Sequence, residues 1–225
     1  MPYTKAHYYM LLLLPVTMLA FWSSYFGMLP KAPLIHHLHG ITGTLWILLI
    51  AAQSYSIQSR KLQLHRSLGK ALFVLTPIMV GAFALVSWLG AQKAVGDHPF
   101  YVQFGQALLT GDVMLTFTTP LIVYLALRYR RNMYLHGALM ISTVFGLLPP
   151  ILARLINGYV PGLKIEGLDT IYLFGHALYI SIGLTFALAI YLFFRYRAHG
   201  WPWMLGAVIT ALMYILFETV GKTDA

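Results

Sequence analysis

Apolar residues run along this chain in long blocks separated by short polar breaks. The blocks are continuous rather than alternating, so they read as helices and not strands. Each is long enough to cross a bilayer core, which takes about 20 apolar residues in a helix. Lipid offers backbone groups no external partner, so only helices and closed barrels span it. The pattern predicts an all-α polytopic transmembrane helix bundle of about seven spans, at residues 8–29, 34–57, 70–92, 104–128, 136–157, 169–195 and 202–219. The stretch from Lys93 to Gln106 is the longest polar one and reads as a loop, so residues 1–225 form a single integral membrane domain.

Composition supports this and removes other classes. The chain is 59% hydrophobic and 9% charged, with a mean hydropathy of +0.73, which leaves no soluble domain. There are no cysteines, so disulfides, thiolate metal sites and iron–sulfur clusters are excluded. The net charge of +9 does not mark a nucleic-acid partner, because the basic residues sit in short loops where they set topology. The first run follows a weakly basic leader without a small-residue cleavage site after it, and is expected to stay as a first helix.

Charge orients the bundle. Lys5, Arg60, Lys61, Arg66, Lys70, Arg128, Arg130, Arg131, Arg195 and Arg197 fall on one side, ten of the fifteen Lys and Arg residues. Lys31, Lys93, Lys164 and Lys222 fall on the other, with Asp97, Glu166, Asp169, Glu218 and Asp224 at or near it. The Lys/Arg excess marks the cytoplasmic face, so the N-terminus is expected inside and the C-terminus outside.

Four histidines then stand out. His39 and His176 enter spans in the outer half, and His65 and His136 enter spans at the inner face. Ionisable groups at membrane depth are costly and usually functional. Paired histidines on facing helices hold heme or metal in bundles. His39, Trp46 and Gln53 are seven apart and share one helical face, with Gly40 and Gly43 beside it for close helix approach. Gly69 lies one turn beyond His65, where a flat ring would need room, and Arg66 is available to a propionate or phosphate. His36 and His37 read as interfacial, and His7, His98 and His199 as ordinary loop or interface residues.

Two charges lie well within spans, Asp112 and Arg154. They are expected to pair, locking the fourth span to the fifth, or to hydrogen-bond locally, with Arg154 also free to meet an anionic ligand from outside. His136 and Arg154 are eighteen residues apart, so a regular helix would put them on one face, with Pro149 and Pro150 kinking it between them. Leu38-His39-Gly40 and Leu135-His136-Gly137 open the second and fifth spans, which suggests a 3+3 inverted repeat after the first helix.

The stretches HGITGTLWILLIAAQ, LQLHRSLGKALFVLTPIMV and LHGALMISTVFGLLPPILARL, with Arg128-Tyr129-Arg130-Arg131, resemble a group of uncharacterised bacterial multi-pass membrane proteins. More loosely they resemble the domain of unknown function numbered 2306. The likeness covers about residues 36–158 and rests on His39-Gly40, Gln53, His65-Arg66, Gly69, Asp112, His136 and Arg154. It implies a location in the bacterial inner membrane and carries no activity. The histidine placement is also similar in outline to diheme cytochromes of the b561 type, in architecture only.

These observations predict a membrane redox protein with two heme b sites, His39 with His176 outside and His65 with His136 inside, passing electrons across the membrane with a quinone or a donor complex as partner. Three other classes stay open. One is a non-heme Zn, Fe or Cu enzyme on a lipid or isoprenoid, with His39, His176 and Asp112 as ligands. Another is a proton- or anion-coupled transporter using Asp112, Arg154 and His136. The last is a cofactor-free accessory subunit of a larger respiratory or photosynthetic complex.

Overall fold

The structure is a computed structural model and describes residues 3–96 and 98–220. Asp97, Lys222 and Asp224, which the charge pattern uses, lie outside the described residues. Among the described residues eight α-helices form an all-α polytopic bundle: α1 (Ala6–Ala20), α2 (Leu34–Gln58), α3 (Leu62–Ala94), α4 (Pro99–Arg128), α5 (Met133–Ser142), α6 (Leu148–Tyr159), α7 (Leu173–Tyr196) and α8 (Trp201–Val220). No strand occurs among the described residues. Large apolar side chains face outward at mid-helix, including Phe73 (67% exposed) and Phe117 (73%). Such a surface suits lipid and not water.

Six segments are long and apolar enough to cross a membrane, with α5 and α6 counted as one. The first expected span, 8–29, is corrected. Its helix stops at Ala20, and after a turn the chain continues as a 3-10 helix over Phe26–Lys31. Ser23, Ser24, Gly27 and Pro30 are poor helix formers and account for the stop. A helix of fifteen residues reaches only about 22 Å. The segment still runs beside a whole span. The Tyr3 hydroxyl donates to the Tyr134 carbonyl at the start of α5 (3.2 Å), and the Tyr159 hydroxyl at the end of α6 donates to Leu19 (3.3 Å).

The expected kink in the fifth span is a full break placed earlier than the prolines. Here α5 ends at Ser142, Phe145–Leu147 form one 3-10 turn, and α6 restarts at Leu148 with Pro149 and Pro150 in its first turn. Proline is tolerated there because the first-turn N–H groups have no helical partner anyway. The break resets the helical phase, so the eighteen-residue spacing of His136 and Arg154 no longer fixes a common face. It also sets the broken fifth span apart from the continuous α2, its partner in the suggested repeat.

Packing contacts close into a ring: α1 on α2, α2 on α3, α3 on α4, α4 on α8, α8 on α7, α7 on α6, and α6 on α1. The short α5 sits inward, against α4, α8 and α2. One core cluster joins Trp46, Ile47 and Ile50 of α2 to Leu72, Met79 and Phe83 of α3. Another joins Phe104 and Ala107 of α4 to Phe174, Ala177 and Leu178 of α7 and Phe217 of α8. This ring decides which histidines can meet.

Candidate functional site

The α2 stripe faces protein along its whole length. Trp46 is fully buried, and its indole N–H donates to Thr143 Oγ1 at 3.0 Å, where α5 ends. Seven residues toward the outer face, His39 packs edge-on against Phe83 of α3, ring centres 4.8 Å apart. Seven residues toward the inner face, Gln53 lies against Gly69, where a Cβ would come 3.4 Å from Gln53 Nε2. So Gly69 does permit close approach of α3 to α2. Gly43 does not serve that purpose, since nothing lies within 4 Å of where its Cβ would be.

At the inner end the structure brings two of the four histidines together. His65 lies on the first turn of α3, which starts eight residues before the expected span, and His136 lies on the first turns of α5. Their ring centres are 6.2 Å apart and their planes cross at 85°. The Asn132 side chain caps α5 by accepting from the Tyr134 and Leu135 N–H groups, which fixes the turn carrying His136. His136 Nδ1 is bonded to the Ala126 carbonyl of α4 at 2.8 Å. A carbonyl can only accept, so Nδ1 carries the proton and Nε2 is left with a free lone pair. His65 Nδ1 and Gln53 Oε1 are buried without hydrogen-bond partners. Both rings are half-buried, while Arg66 beside them is exposed.

The outer pair is not formed. His176 is exposed on α7, in a groove with Gln103, Phe104, Ala107, Tyr172, Tyr179 and Phe217. That groove encloses about 210 Å³, below the roughly 300 Å³ at which ligand pockets begin. His39 instead faces α3 and the region of Arg154 on α6. In the ring, α1 and α6 stand between α2 and α7, which keeps the two histidines on separate surfaces. The three-ligand set His39, His176 and Asp112 fails for the same reason. Among the described residues, no group of three or more His, Asp or Glu side chains is gathered as a metal site.

Asp112 and Arg154 do not make the expected ion pair within 4.0 Å. Arg154 Nη1 donates instead to the Pro150 carbonyl one turn back (3.1 Å), and the guanidinium stacks on Phe21, 4.5 Å from the ring centre. Asp112, Tyr101 and His39 lie within electrostatic reach of it. The Ser87 hydroxyl donates to the Phe83 carbonyl and lies near enough to Asp112 that its single proton could turn to the carboxylate instead. Phe21, Ser87, Tyr101 and Lys93 were not singled out by sequence reasoning. The spacing from Ser87 to Phe83 was there to be read, but neighbours from other helices leave no mark in periodicity.

Of the remaining histidines, His37 Nδ1 is bonded to the Tyr25 hydroxyl (2.8 Å). His7 is buried at 5% exposure, because α1 begins at Ala6 and turns His7 toward Tyr55 of α2. It is therefore a packed residue and not a loop one. No protein-family model, no curated protein and no solved structure matches this chain, so the likeness noted above rests on its quoted residues alone.

Proposed function

We propose that this chain is an integral membrane redox protein of a bacterial inner membrane that holds one heme b between His65 and His136 near the cytoplasmic face. The observation that carries this reading is the facing of those two rings. His65 and His136 would hold the heme iron through their ring nitrogens, which requires the two rings to lie close together. The observed separation is 6.2 Å.

The donor set also fits. A heme would need no more than two ligands from the protein, whereas a protein-held zinc or iron site needs three or more. The inner end supplies two histidines and no carboxylate beside them. The bond from His136 Nδ1 to Ala126 fixes its tautomer and its orientation, as an outer-shell partner of a ligand does. Gly69 keeps α3 thin beside Gln53. Arg66 is next to His65 and Lys70 is about one and a half turns on, and both suit the heme carboxylates. When bound, the heme would supply one-electron exchange. The protein's part is to hold the two rings, exclude lipid from them and set the local charge.

The sequence expectation of two stacked hemes is thereby reduced to one, because the outer histidines lie apart. The test is heme content in four variants. His65→Ala and His136→Ala should each lose the heme, and His39→Ala and His176→Ala should each keep it. Retention in both inner variants would sink the assignment.

A further inference from the structure

We propose that Arg154 anchors a second site, independent of the inner heme, which binds one singly charged anion, a carboxylate or a phosphodiester, entering from the outer face. A guanidinium at membrane depth needs its charge answered and its N–H groups bonded. It carries five N–H donors, and Arg154 uses one of them, on Pro150. Its face is covered by Phe21. No acidic side chain of the described residues comes within 4.0 Å of it. The planar edge of the fork is therefore free, and that edge matches the paired oxygens of a carboxylate or a phosphodiester.

The surroundings choose the charge and the shape. Lys93, exposed at the end of α3, lies over the Tyr101 ring at 5.1 Å, and Tyr101 is within electrostatic reach of Arg154. His36 lies within electrostatic reach of Lys93, and it and His39 keep buried Nδ1 atoms without partners. Of the described charges there, Lys93 and Arg154 outnumber Asp112 by one, which favours a monoanion over a dianion. Phe21, which covers the guanidinium, suits an acyl chain beside the charged head. The shared chemistry is an amphiphile with one negative charge, either a membrane lipid headgroup or a free carboxylate.

The experiment uses the full chain in phosphatidylcholine nanodiscs. Hexanoate is titrated by calorimetry, and retained phosphatidylglycerol is counted by native mass spectrometry after reconstitution with that lipid. One of the two probes should bind at one per chain. Hexanoate alone would identify a free carboxylate, and phosphatidylglycerol alone a lipid. Arg154→Gln should weaken binding by about tenfold to a hundredfold, the usual loss for a charged hydrogen bond, with Arg154→Lys losing less. Lys93→Gln, at an exposed helix end, repeats the test with a several-fold loss if Arg154→Gln does not fold. No binding of either probe to the wild type, or equal binding to Arg154→Gln, would overturn the site.

Discussion

The bond between Trp46 and Thr143 ties the middle of α2 to the point where α5 ends, and its strength follows from the structure. Trp46 is 0% exposed and its N–H reaches Thr143 Oγ1 at 3.0 Å. Thr143 spends its own proton on the Met140 carbonyl (2.7 Å), so its oxygen acts only as acceptor for the indole. Thr143→Val keeps the side-chain shape but strands a buried N–H, which costs about 1–3 kcal/mol. Trp46→Phe loses the bond and leaves the space of a five-membered ring, at a cost of about 1–3 kcal/mol. The double variant loses the bond only once. The coupling energy should then be about 0.6 kcal/mol and at most about 1.7 kcal/mol, the average and the maximum found for hydrogen bonds between membrane helices. The assay is equilibrium unfolding in mixed micelles with rising dodecyl sulfate, run on the wild type and all three variants. Additivity within about 0.3 kcal/mol would show that the bond is not there.

Other outcomes follow from single contacts. Asn132→Ala removes the cap from the turn bearing His136 and should cost about 1 kcal/mol, read in the same unfolding assay, with a matching drop in heme retention. Gly105→Ala would set a methyl 2.6 Å from Ala94 Cβ, spreading the α3–α4 contact; a loss of about 1–3 kcal/mol is expected. His176→Ala alters an exposed side chain and should shift stability by no more than about 0.5 kcal/mol.

Facing was legible in the sequence where one helix carries the information. The seven-residue spacing of His39, Trp46 and Gln53 was enough to turn that stripe inward, and α2 is continuous, so the phase holds. The Lys/Arg bias assigned His65 and His136 to the same end. Which histidines meet was not legible, because helix order around a bundle leaves no periodic trace. His39 and His176 were expected at one depth but are parted by α1 and α6, whereas the inward position of α5 carries His136 to His65. The break before Pro149 also escaped, since the prolines mark the restart of the helix and not its end. Arg154 was rightly flagged as costly, but its company of Phe21 and Tyr101 comes from helices far off in sequence.

The most direct measurement is the absorption spectrum of the purified protein, oxidised and then dithionite-reduced, with iron analysis on the same sample. The facing of His65 and His136 predicts a Soret band, a sharp α band on reduction, and one heme and one iron per chain. A colourless protein without iron, purified from heme-sufficient cells under mild detergent, would contradict a heme between these two histidines.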